Sequence, residues 1–132
     1  MSIKQGFSRF LLLLTALVVF IGCVDQDPFG LRRKALIKSY SLERAEDGTY
    51  QIVTPDHEDG GGVLEGTVEE LAWSSELILA RRHSTFRGDP DGWMVIDVAT
   101  GAVRGPLSKE ELQADPKLSK MTPESPANVW KR

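Results

Sequence analysis

The sequence predicts a mostly β protein, a small antiparallel meander or barrel-like sheet with one short C-terminal helix. Three observations predict it. Apolar and polar residues alternate along short stretches between residues 35 and 98. Asp47-Gly48 and Thr100-Gly101 punctuate those stretches in the manner of tight turns. Helical signals gather only after Gly105-Pro106. The chain has 132 residues, and 14 of its 54 apolar residues fall within the first 22 positions. That segment holds Lys4 and Arg9 but no acidic side chain, so residues 23–132 carry 14 basic against 19 acidic groups, a net charge of −5. An acidic balance argues against non-specific nucleic-acid binding, which rests on neutralising phosphates. The remaining 110 residues suffice for one domain and not two.

The elements follow in order. Met1–Arg9 is short and positively charged, and Phe10–Ile21 is an apolar run of 12 residues broken only by Thr15. A membrane-spanning helix needs roughly 20 apolar residues, so this pattern reads as a secretory signal peptide. It ends in Phe20-Ile21-Gly22-Cys23, and Cys23 is the sole cysteine, which leaves no intramolecular disulfide. Residues 24–31, with Pro28 and Gly30, read as a tether. The basic triplet Arg32-Arg33-Lys34 reads as the solvated start of a strand, with contact to anionic headgroups as the alternative. Ala35–Arg44 is an extended stretch with Leu36, Lys38, Tyr40 and Leu42 on one parity, turned by Asp47-Gly48 into a partner at Tyr50 and Ile52. Residues 55–62 are a polar, glycine-rich loop. Val63–Ala72, Leu77–Ala80 and Trp93–Val98 are further strands, and Ala102-Val103 is a shorter one. Ser108-Lys109-Glu110-Glu111 is a capping box with Leu107 and Leu112 as its staple. It predicts a helix over 109–114, ended at Asp115-Pro116 because a residue before proline disfavours helical dihedrals. The domain limits expected are therefore a signal peptide over 1–22, a modified cysteine and tether over 23–31, a β domain with its helix over 32–114, and a loosely ordered tail over 115–132. In that tail Trp130 is placed to dock back on the body. Five or six short strands must hide their edges, and the helix is the expected cover.

The leader's ending resembles the lipobox of bacterial lipoproteins, with Phe20 where Leu, Val or Ile is usual. The resemblance implies cleavage before Cys23, a diacylglyceryl group on its thiol and an acylated amino terminus. Val24 in the next place implies outer-membrane sorting in a Gram-negative host. An ordinary signal, or a short anchor with an incidental cysteine, is the alternative. From Val68 onward, Val68-Glu69-Glu70-Leu71-Ala72-Trp73, Leu77–Arg81, Trp93–Asp97 and Gly105-Pro106-Leu107-Ser108 with Glu110-Glu111 are similar to successive blocks of a family of small bacterial lipoproteins of unknown function. The likeness covers about residues 63–118, and parts also resemble one blade of a β-propeller. It implies no activity.

Residues that carry chemistry are sparse. Asp56, His57, Glu58 and Asp59 are neighbours on one loop, and consecutive residues rarely converge on a metal. Asp89-Pro90-Asp91-Gly92 begins like a calcium loop but has no closing glutamate. No metal and no cofactor is expected. His83 and Ser84 adjoin, yet neighbours on a strand point to opposite faces. Asp97 is expected to bond backbone, or Arg81 and Arg82 across the sheet. Trp73 and Trp93 read as core residues. Arg81, Arg82, His83, Phe86 and Arg87, with Trp93, surround the longest irregular loop, residues 83–92, and form the candidate interaction surface.

These readings lead to the expectation of a non-enzymatic, lipid-anchored protein of the cell envelope, membrane-bound through Cys23 and binding a protein or cell-wall component. The alternative within binding proteins is an inhibitor or immunity protein against a periplasmic hydrolase or toxin. An envelope enzyme would require His57 or His83 to meet Asp97 or Glu65 in a pocket.

Overall fold

The structure is a computed structural model that describes residues 32–57, 62–85 and 88–132. Cys23, the leader and the tether lie outside the described residues. Among the described residues, seven antiparallel strands form two sheets. The first has the order β1 (Arg32–Ile37), β2 (Tyr40–Arg44), β3 (Tyr50–Val53). The second has the order β4 (Thr67–Trp73), β5 (Leu77–His83), β6 (Gly92–Asp97), β7 (Val103–Leu107). Two short helices follow, α1 (Lys109–Ala114) and α2 (Pro126–Trp130). The mostly β meander is as the sequence predicts, though open and divided into two sheets.

The expected single stretch over 35–44 is instead a hairpin. Ile37 pairs with Tyr40, and Lys38 takes φ 50. No Gly, Asn or Asp marks that corner, so the alternation on either side hides it. The next turn is where Asp47-Gly48 placed it. The Asp47 carboxylate accepts from the Thr49 N–H at 2.9 Å and hydroxyl at 2.6 Å, while Gly48 takes φ 85. At the β4–β5 turn, Ser74 Oγ accepts from the N–H groups of Glu76 and Leu77, both at 3.2 Å.

One core lies between the sheets. Leu42 and Ile52 from the first sheet and Leu71, Ile78 and Ile96 from the second are fully buried in it. The opposite face of the second sheet is buried as well, where Leu79 and Val95 meet Leu118 beyond α1. Met94, Val95 and Ile96 are therefore consecutive buried residues pointing alternately to two cores. This double burial explains why that strand reads as an unbroken apolar run.

The capping box forms as predicted. Ser108 Oγ accepts from the Glu111 N–H at 3.1 Å, and Glu111 Oε1 from the Ser108 N–H at 3.2 Å. Leu107 and Leu112 pack together against the outer cluster. The helix does not cover an edge, however. It lies on the outer face of the second sheet, and the β4 edge is met by the chain beyond it. Leu71 and Glu124 exchange two main-chain hydrogen bonds at 2.9 Å.

The tail over 115–132 is ordered, contrary to the expectation. Leu118 is buried on the outer face, Glu124 crosses the edge, and Val129 is 1% exposed in the core between the sheets. Ser125 caps α2 with Pro126 in its first turn. Trp130 meets Tyr50 at a ring separation of 6.0 Å, and Lys34 Nζ donates to the Trp130 carbonyl at 3.2 Å. Proline content and weak periodicity conceal this because each anchor is a single residue. Replacing Val129 by Ala is expected to lower unfolding free energy by about 2 kcal/mol through the cavity it leaves. Ala127→Ser, on the exposed side of the same helix, is expected to stay within about 0.5 kcal/mol. Urea unfolding checks both, and equal effects at the two positions would return the tail to a loosely held segment.

Candidate functional site

The predicted interaction surface is partly assembled. β5 ends in Arg81-Arg82-His83, and strand alternation sends Arg81 and Arg82 to opposite faces. Arg82 is only 7% exposed, so it does not belong to a surface. Its guanidinium donates to the main-chain carbonyls of Glu65 at 3.4 Å and Pro90 at 3.2 Å, while Nε is buried without a partner among the described residues. The side chain closes the base of the loop from beneath. Arg81 faces outward between its cross-strand neighbours Glu70 and Trp93. Its Nε bonds Glu70 at 2.7 Å, a second nitrogen bonds Glu69 at 3.0 Å, and its guanidinium carbon stands 6.0 Å from the Trp93 ring centroid. Trp93 is half-buried against the outer cluster beneath it. Trp73 packs against the core between the sheets. Phe86 and Arg87 lie outside the described residues.

Two carboxylates pin the ends of loop 83–92. Asp91 Oδ2 meets His83 Nδ1 at 2.9 Å, and its Oδ1 accepts from the Ser84 N–H at 2.7 Å. Glu65 accepts from the Ser84 hydroxyl at 2.8 Å and from Thr85 through its N–H at 3.0 Å and hydroxyl at 3.2 Å. The hydrogen bond and charge of Asp91 raise the His83 pKa above its ordinary value, with smaller contributions from Glu69 and Glu65. The Ser84 N–H, followed by His83, lowers that of Asp91.

His83 does not meet Asp97, one of the pairings expected of an envelope enzyme. Asp97 lies opposite Leu77, six residues along β5 from His83, roughly 20 Å away at strand spacing. Asp97 instead accepts from the Thr100 N–H at 3.0 Å, the backbone half of the expectation, and makes no ion pair with Arg81 or Arg82. That backbone bond is the main cause of its lowered pKa. His83 meets Asp91, and Ser84 gives its hydroxyl to Glu65 rather than to the imidazole. Of the acidic loop at 56–59, Asp56 is exposed in a 3-10 turn over Pro55–His57, whereas Glu58 and Asp59 lie outside the described residues. Among the described residues no three His, Cys, Asp or Glu side chains converge on a metal-sized site.

The sequence reading missed a groove of about 920 Å³ on the outer face of the second sheet. Leu77, Val95, Asp97 and the start of β7 form one wall, and Glu111 and Ala114–Lys117 form the other. Its cause is local. α1 has one turn of apolar contact, through Leu112, and no fully buried residue. Ala114 and Ala102 are too short to close the gap. Two ion pairs flank it: Arg104 to Asp115 at 3.3 Å across the walls, and Lys117 to Glu76. Asp115 also accepts from the N–H groups of Lys117 at 2.9 Å and Leu118 at 3.3 Å, which lowers its pKa.

No family model, no curated protein and no solved structure matches the chain. No helix among the described residues is long and apolar enough to cross a membrane.

The His83–Asp91 pair has a defined pH window. The raised His83 value gives a contribution that is complete below about pH 6.5 and lost as pH rises through the higher folded value. The lowered Asp91 value gives one complete above about pH 3.9 and lost as pH falls through the lower folded value. NMR titration of the His83 ring is expected to give a midpoint above about 6.5. Asp91→Asn is expected to move it back toward that value. A wild-type midpoint at or below it would contradict the pair.

Proposed function

We propose that the chain is a lipid-anchored protein of the bacterial cell envelope whose β domain is a non-enzymatic binding module for a protein or cell-wall component. The observation that carries the reading is the leader: a basic start, a 12-residue apolar run and Gly22-Cys23, with the sole cysteine at the place of modification. One acyl chain holds a protein only reversibly, whereas two or three give a stable anchor. Only residues 24–31 then separate the anchor from Arg32, where β1 begins.

The binding half of the proposal draws on the surface. The described ends of loop 83–92, at His83–Thr85 and Asp91, are tied by Asp91 and Glu65, so these residues offer a partner groups ordered in advance, which lowers the entropy lost on association. His83 is oriented by a carboxylate as a general base would be, but the adjoining hydroxyl is committed elsewhere. That arrangement suits recognition better than turnover.

The test is intact mass and membrane fractionation of the expressed protein beside Cys23→Ser. The wild type is expected in the membrane fraction as a species that starts at Cys23 and is heavier by a diacylglyceryl group. The variant is expected to lose both properties. A wild type that stays unacylated and soluble would overturn the anchor.

A further inference from the structure

We propose that the groove between the second sheet and α1 receives a basic segment of a partner protein. An aliphatic stem lies on its floor, and a lysine or arginine head lies between Asp97 and Glu111. The proposal deepens the binding-module reading and rests on it.

The charges argue for a cation. Four carboxylates stand in or beside the groove (Glu76, Asp97, Glu111, Asp115) against two cations, Arg104 and Lys117. Both cations are already paired, Arg104 with Asp115 and Lys117 with Glu76. The excess is two negative charges, and Asp97 and Glu111, one from each wall, form no ion pair among the described residues, although the Lys117 charge reaches Asp97 at longer range. Asp97 stays ionised well into acid, because the Thr100 N–H holds its pKa low. Glu111 uses Oε1 for the capping box, and no hydrogen bond occupies Oε2 among the described residues.

The floor argues for a stem. Leu77, Val103, Ala114 and Pro116 present apolar surface over the buried Val95, and Val103, 40% exposed, is the one exposed large hydrophobic residue among those described. Lysine and arginine carry this combination, a methylene stem that lies along apolar surface and a charged head that reaches past it. A volume of about 920 Å³ admits such a side chain together with a neighbouring residue. The net charge of −5 over residues 23–132 favours the encounter at a distance.

The experiment is fluorescence anisotropy of a labelled, end-blocked hexapeptide of alternating lysine and leucine. It is titrated with the full expressed chain, purified from whichever cell fraction holds it. Glu111→Gln keeps the capping box, since glutamine also serves there, and is expected to weaken binding about three- to fivefold. Ala114→Phe fills the groove and is expected to weaken it about tenfold or more. Ala102→Phe, on the opposite wall, gives the same readout should Ala114→Phe fail to fold. Glu110→Gln, on the same helix but not lining the groove, is the charge control and is expected to leave affinity unchanged. Absence of peptide binding overturns the proposal. So does equal weakening by Glu110→Gln and Glu111→Gln, which marks general surface charge. Indifference to groove filling, or equal binding of a glutamate–leucine hexapeptide, does the same. Failure here leaves the anchor standing, because fractionation of Cys23→Ser reads that separately.

Discussion

The structure depends on the double burial of the second sheet. Its central strands, β5 and β6, place Ile78 and Ile96 in one core and Leu79 and Val95 in another, so the sheet needs a cover on each face. The first sheet supplies one. The other comes from α1 and the turn ending at Leu118, which alone would be a thin layer. What joins the two is the C-terminal segment, which leaves the outer face at Met121, crosses the β4 edge at Glu124 and buries Val129 between the sheets. The Arg132–Glu124 ion pair and the contact of Lys34 with the Trp130 carbonyl hold its end in place. Seventeen buried apolar residues among those described leave little redundancy in so small a domain, and the two covers are linked through this one segment.

The same arrangement settles the edges. Among the described residues four strands lie at a sheet margin, β1, β3, β4 and β7, and each is met by different chemistry; at β3 the Val63 N–H donates to the Ile52 carbonyl at 2.7 Å. β1 carries Arg32-Arg33-Lys34, charged residues of the kind that discourage pairing with another chain. The structure gives this triplet work within the fold as well, since Arg33 pairs with the buried Glu43 at 2.9 Å and Lys34 reaches α2. β4 is met by Glu124. β7 contains Pro106, which has no N–H to donate. An open pair of sheets can thus remain unpaired at its margins without closing into a barrel.

Legibility in the sequence followed the physics of each element. The capping box at Ser108 and Glu111, the turn at Asp47-Gly48 and the buried run at 93–98 were readable because each depends on residues close together in the chain. The corner at Lys38 was hidden because a lysine took a left-handed conformation that carries no compositional mark. The order of the tail was hidden because its anchors, Leu118, Glu124 and Val129, are single residues whose partners lie far away in sequence. For the candidate surface, the cluster of basic residues was visible but its division was not. Alternation puts Arg82 beneath the loop and Arg81 above Trp93, and only the register of β5 tells which is which. The groove could not be read at all, since it arises from what Ala114 and Ala102 fail to fill.

The layering also bears on how an anchored domain would meet a partner. Residues 24–31 span at most about 28 Å when fully extended, and much less as a flexible coil. They join the domain at β1, in the first sheet. The groove opens on the far face of the second sheet, with that sheet and the shared core between it and the first sheet, which carries β1. Packed sheets stand about 10 Å apart, so the attachment point and the groove belong to opposite layers of the molecule. A tether through β1, as proposed, would therefore leave the groove uncovered by the anchor itself, open to a basic segment without displacement of any element of the fold.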